Sequence, residues 1–172
     1  MINADEGLRG NEFKTYFDKF PHVLTSFSGV FAIDELPQNI PIRHFVIFNL
    51  SEKHLPGSHW AVILRSSANQ LELFNSLGQQ NLNYVTPYLK FQKHFTINYN
   101  EKAVQSVSSK FCGYHCIYFV IFRILNFDMS FEHVLEDIFY SNSLIKNDNI
   151  VSQFCHNILT STNDDFFSFH DF

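Results

Sequence analysis

Cys112 stands directly before Gly113 and the apolar run of residues 113–126, GYHCIYFVIFRILN, which places it at the start of a buried helix. A helix start offers unpaired N–H groups and the positive end of the dipole. Both favour a thiolate and lower a thiol pKa. A nucleophile of this kind needs a base. His59 opens the strand-like run HWAVIL just after a Pro56-Gly57 turn, at a strand edge where it can face a cleft, with Trp60 fixing the strand against the core. A third group must orient the imidazole. Asn75 closes the next strand, LELF, across a short hairpin, and its side-chain carbonyl can hold one tautomer. Alternation sets Leu71, Leu73 and Asn75 on one face and Glu72 on the other. Gln105 lies in the loop QSVSSKF before Cys112. Its amide, with the Cys112 backbone N–H, could donate to a developing oxyanion.

Each residue has an ordinary reading beside this one. A cysteine is a small buried hydrophobe, the reading adopted for Cys116 and Cys155. Asn75-Ser76-Leu77-Gly78 is also a turn sequence, and a loop glutamine is usually a surface residue. Of the nine histidines, His22, His44, His54, His94, His133, His156 and His170 read as surface or satisfied positions. His115 competes with His59 by its closeness to Cys112, but one helical turn aims it away from the N-terminal mouth.

The elements that must position these groups follow from pattern. Asn11 can cap a short helix, 12–20, stopped by Pro21. Residues 27–33 are apolar and end in the turn-like Asp34-Glu35-Leu36-Pro37. Strands are expected over 43–50, 59–64, 71–74 and 95–99, with a hairpin at 66–69. Residues 84–91 read as helical despite Pro87. Ser130 can cap a helix over 131–140 with Glu132, Glu136 and Asp137 outside. Asp148 can cap another, 150–159. The expectation is an α+β domain with an antiparallel-rich mixed sheet packed on the buried central helix. The tail over 161–172, acidic and aromatic, is either a mobile end or a strip packed on the body.

With 172 residues, the chain is long enough for one domain, 1–172, with a real core. Its 45% apolar and 17% charged residues exclude a disordered chain. The net charge of −5 and scattered bases give no support to tight DNA binding. The longest apolar run, 116–122, is too short to cross a membrane, and the polar MINADEGLRG start carries no signal-peptide core. Three cysteines with no metal-like pairing suggest a reducing compartment, free thiols and no metal. An intracellular, non-secreted protein without a cofactor is expected.

The order His59, Asn75, Gln105, Cys112, set in Gly57-Ser58-His59-Trp60, Phe74-Asn75-Ser76-Leu77-Gly78, Gln105-Ser106-Val107 and Phe111-Cys112-Gly113-Tyr114-His115-Cys116, resembles the adenain-type cysteine proteases. That group holds the adenovirus maturation protease and its relatives in virophages and virus-like transposons. It shares a clan with the ubiquitin-like-protein (SUMO-type) proteases. The likeness covers the middle of the chain, with a weaker trace over 27–37.

The resemblance implies a papain-like fold, His59 as general base, Asn75 as imidazole orienter, Gln105 as oxyanion donor and Cys112 as nucleophile. It also implies that Trp60 and Gly113 contact the substrate. The family's third member is usually Asp or Glu, so Asn75 departs from it. The Gln105-to-Cys112 spacing and the chain length resemble the viral branch. The implied function is an endopeptidase that cleaves viral capsid and core precursors near small residues, especially Gly. It would act in the infected cell, be packaged in the virion and work as a monomer. The adenoviral activating peptide is disulfide-linked, but Ala103 and Val104 stand where its receiving Cys would be. Any such capsid-derived peptide should bind here noncovalently. The alternatives are a deubiquitinating or deSUMOylating isopeptidase and an inactive scaffold that kept the fold.

Overall fold

The structure is a computed structural model, and it describes residues 7–78, 85–89, 94–140 and 142–161. Two short helices, α1 (Phe13–Phe17) and α2 (Pro21–Ser26), lead into β1 (Phe27–Ala32). The helix expected over 12–20 is the shorter α1, and α2 is a second helix beyond it. The first helix ends before Pro21, and Pro21 itself begins the second, because its missing N–H is harmless in a first turn. Next come β2 (Phe45–Asn49), β3 (Trp60–Arg65), β4 (Gln70–Phe74) and β5 (Thr96–Tyr99). Three helices finish the described chain: α3 (Cys112–Leu125), α4 (Phe131–Ile138) and α5 (Leu144–Thr160). The helix expected over 84–91 is described only in part, as a 3-10 turn at Thr86–Tyr88. The tail after Ser161 lies outside the described residues.

The five strands form one sheet in sequence order, β1-β2-β3-β4-β5. The two outer pairings are parallel and the two inner ones antiparallel. The fold is therefore α+β with a mixed sheet. The expected antiparallel excess is absent, because β1 and β5 arrive by crossover connections and not by hairpins. Only β3 runs against the other four. The C-terminal ends of β2, β4 and β5 and the N-terminal end of β3 consequently share one edge of the sheet.

Alternation in the strands divides the core in two. Phe45, Ile47, Val62, Leu64 and Phe74 point to the helical side, where they pack with Phe119, Val120 and Ile121 of the central helix α3. Val46, Phe48, Ala61, Ile63, Leu71 and Leu73 point the other way and pack with Ile33, Ile40, Val85 and Leu89. The central helix is apolar nearly all round because it has neighbours nearly all round. It touches β3, α1, α2, α4 and α5. The rings of Phe74 and Phe119 stack at 4.3 Å, clamping β4 to this helix.

One polar pair crosses the apolar interface. Glu72 of β4, on the helical side as alternation requires, receives two hydrogen bonds from Arg123, Nε to Oε2 at 2.8 Å and Nη2 to Oε1 at 2.9 Å. Both residues are buried. Removing one partner from such a pair destabilises strongly, by about 3–5 kcal/mol, while replacing both by apolar groups is often neutral. Glu72→Ala should lower stability in urea unfolding by that order. Glu72→Leu combined with Arg123→Met should recover most of it, and a double variant as weak as the single one would contradict the account.

Candidate active site

The shared edge of the sheet carries the polar residues. Three strand ends there finish in asparagine: Asn49 closes β2, Asn75 follows β4 and Asn100 follows β5. All three side chains are buried and each holds backbone. Asn49 Oδ1 accepts from the N–H groups of Ser51 (2.9 Å) and Ser58 (3.0 Å), which fixes the loop leading into His59. Asn100 brackets the backbone of Asn75. It accepts from Asn75 N at 2.9 Å through Oδ1 and donates to Asn75 O at 2.6 Å through Nδ2. Asn49 and Asn100 do not stand out by residue type alone. The available signal was the repeated ending of an apolar run in Asn, in FVIFN, LELFN and TINYN.

His59 and Asn75 meet: His59 Nε2 lies 2.7 Å from Asn75 Oδ1, and both residues are buried. Asn75 Oδ1 also accepts from the Leu77 N–H at 3.0 Å. A backbone N–H can only donate, so the atom facing it is the carbonyl oxygen and not the amide nitrogen. His59 Nε2 must then be the protonated nitrogen that donates to it. Nδ1 is left with the free lone pair, and it is the basic atom of this ring.

The turn after β4 depends on Gly78. Its N–H donates to Asn75 O at 2.8 Å, and its φ of 81° lies in the left-handed region. A Cβ there would stand 2.8 Å from Ala103 N and 2.9 Å from Glu101 O. No flexible side chain can yield at that point, since the obstacles are backbone.

Cys112 is the first residue of the central helix and is partly exposed. It lines a cleft of about 630 Å³ together with His59, Trp60, Asn49, Leu77 and Gln105. Trp60 is half-buried, and its Nε1–H donates to Leu8 O at 2.8 Å while its ring meets Phe13 edge-on. Gly113, expected on the substrate path, is buried instead. A Cβ on it would lie 2.8 Å from Leu8 Cβ and 3.3 Å from Phe13 and Trp60. It lets the helix start pack under the N-terminal segment, and only its backbone N–H acts on the sulfur.

Gln105 is buried and lines the same cleft. Ser76 Oγ donates to its Oε1 at 2.5 Å, and its Nε2 donates to Ser109 O at 2.9 Å and Ser109 Oγ at 3.0 Å. To serve an oxyanion, the amide must give up one contact to Ser109. His115 is fully buried, outside the cleft, with Nε2 at 2.9 Å from Asp148 Oδ1 and its ring stacked on Phe139. Burial pushes it down, although Asp148 pulls it back up. Asp148, expected as a cap, lies inside α5, whose cap is Ser143. The three cysteines are free thiols, with Cys116 and Cys155 buried as apolar residues.

The electrostatics differ from the expectation for a helix N-terminus. Burial pushes the Cys112 thiol up, and the backbone N–H groups of Trp60, Gly113 and Cys112 only partly offset it. Burial likewise pushes His59 down, against the hydrogen bond to Asn75. Both shifts favour a neutral thiol beside a neutral imidazole over an ion pair. Alkylation of Cys112 by iodoacetamide should therefore inflect above the ordinary thiol value of about 8.5. A rate that is flat from pH 5 to pH 8 would mean a thiolate–imidazolium pair at rest.

No family model matches the sequence, and no curated protein matches it. Among solved structures, the chain is similar to the central domain of the uncharacterized Lpg1148 protein from Legionella pneumophila. The TM-score is 0.46 and the identity 12%, over 89% of this chain and 99% of that one. Among the described residues, no cluster of His, Cys, Asp and Glu could hold a metal ion, and no helix is long and apolar enough to cross a membrane.

Proposed function

We propose that this chain is a cysteine endopeptidase of the adenain type, acting on precursor proteins of a virus or virus-like element inside the infected cell. The observation that carries the reading is the 2.7 Å contact of His59 Nε2 with Asn75 Oδ1 beside a cleft that Cys112 also lines. A histidine held in one tautomer by an oriented amide, with its other nitrogen basic, is what a thiol nucleophile requires.

In this mechanism His59 Nδ1 takes the thiol proton as the Cys112 sulfur attacks the scissile carbonyl. The positive charge that forms on the ring is met by the Asn75 carbonyl. The oxyanion is met by the Cys112 backbone N–H and, once released from Ser109, by the Gln105 amide. Collapse breaks the C–N bond, and the amine leaves with the proton from Nδ1. Water then attacks the thioester, giving its proton to Nδ1, and the acid product leaves as the thiol is restored. Charge separation occurs only when substrate is present, which suits the raised thiol and lowered imidazole of the resting site.

Small residues, Gly above all, are the proposed preference at the cleavage site, with capsid and core precursors as substrates and the virion as destination. A second reading has its own support: the Gln105 amide bound to Ser109 and the raised thiol suit a scaffold that kept the fold without activity. An isopeptidase would use the same machinery on a folded modifier.

A peptide-library digest read by mass spectrometry, run beside folded ubiquitin-like conjugates, separates these readings. Wild type should cut peptides near Gly or other small residues and Cys112→Ala should cut none, with an unchanged melting temperature. Cleavage of the conjugates alone would establish the isopeptidase, and no cleavage with an unreactive Cys112 the scaffold. Asn75→Asp gives the imidazolium a charged partner and should preserve or raise turnover. A fall below a few per cent of wild type would remove Asn75 from its orienting role. Gln105→Ala should lower kcat by ~10²–10³ with little change in KM, and an unchanged kcat would refute its oxyanion role.

A further inference from the structure

The segment that carries Gln105 is gripped from behind by α5. Asn147 Nδ2 donates to Val104 O at 2.9 Å, and Asp148 Oδ2 accepts from Ser106 N at 3.3 Å. These contacts fall on the residues to either side of Gln105. On the opposite side, the Ser76 carbonyl accepts from the N–H groups of Val104 (2.8 Å) and Gln105 (3.0 Å). The other oxygen of Asp148 meets His115 Nε2 at 2.9 Å, and His115 sits one turn along the helix that Cys112 begins. Asn147 and Asp148 are both buried, and His115 is fully so. One carboxylate therefore touches both the loop of the proposed oxyanion donor and the helix of the proposed nucleophile.

We infer that Asp148, with Asn147, is a positioning residue that sets the distance between Gln105 and Cys112. This rests on the protease reading for its catalytic sense, but the grip itself does not. The His115–Asp148 contact is too deep to act on substrate, and the cleft lining includes neither residue. Its chemistry suits spacing. A carboxylate has two oxygens and several lone pairs, so it can accept from a backbone N–H and an imidazole N–H at once. Asn147 adds a second anchor on the other side of Gln105 and also bonds the Tyr140 backbone in both directions, N–H to Oδ1 at 2.8 Å and Nδ2 to O at 3.1 Å. The pair thus ties the loop, the central helix and the connection from α4 to one helix turn.

The test combines amide exchange with kinetics on Asp148→Ala, Asp148→Asn, Asn147→Ala and Gln105→Ala. Hydrogen exchange followed by mass spectrometry should show faster exchange at Gln105 and Ser106 in Asp148→Ala and Asn147→Ala. Protection of the central helix should persist. On a cleavable peptide, Asp148→Ala should lower kcat about 10-fold or more, with KM within about threefold. Asp148→Asn keeps the size and one accepting oxygen and should recover part of the loss. Combined with Gln105→Ala, Asp148→Ala should add less than about threefold, because it acts through that amide. If Asp148→Ala does not fold, Asn147→Ala and Asp148→Asn carry the same comparison. Unchanged exchange in the variants, or fully multiplicative kinetic losses, would overturn the positioning role. A wild type that cleaves nothing would overturn the protease reading, while the exchange data would still decide the grip.

Discussion

The side-chain oxygen of Asn75 accepts two hydrogen bonds, one from the Leu77 backbone and one from the His59 ring. Much of the site hangs on that oxygen. The backbone donor settles which end of the amide faces the histidine, and the amide settles which ring nitrogen is basic. Asn100 then holds the Asn75 backbone in place, and Gly78 lets the turn close without a side chain in the way. A carboxylate at the same position would attract the imidazolium more strongly. It would not need the neighbouring N–H to declare its orientation, because its two oxygens are alike.

Two opposing effects act on Cys112. The helix start draws negative charge to the sulfur through its N–H groups, an effect worth typically 0.3–1 kcal/mol and falling off within the first turn. Burial opposes any charge there, and desolvation of a buried group can shift a pKa by several units. Here burial prevails. Only the dipole is visible in the sequence, because exposure depends on what covers the helix start. The cover comes from far along the chain: Leu8 and Trp60 close over Gly113.

The sheet and the central helix were legible because their patterns are strong. Apolar and β-branched runs placed β2 to β5 within a residue or two and left β1 only as an apolar stretch, and alternation put Glu72 on the face opposite Leu71 and Leu73, where Arg123 meets it. Strand pairing was less legible, since the direction of β1 and β5 is decided by crossovers whose residues carry little periodicity. His59, Asn75, Gln105 and Cys112, expected from the sequence as candidates, lie around one edge of the sheet. Gly113 is packed under Leu8, a contact the sequence does not show because a glycine beside a cysteine reads equally well as an open approach or as a tight packing contact. Asp148 was misjudged because a carboxylate ahead of an apolar stretch looks like a cap. Only the partner on another helix, His115, reveals its buried role.

The groups around the cleft come from nearly the whole length of the chain. Leu8 covers the helix start, His59 and Asn75 come from neighbouring strands and Gln105 from a loop, while Asp148, outside the cleft, holds that loop from α5. Few of these contacts are local, and each closes a long loop whose entropy must be overcome before the contact rewards it. On a ribosome, the strands and central helix emerge well before α5. A nascent chain lacking that helix has its thiol and imidazole but no grip on the Gln105 loop. The proposed site is thus incomplete until α5 has emerged and docked.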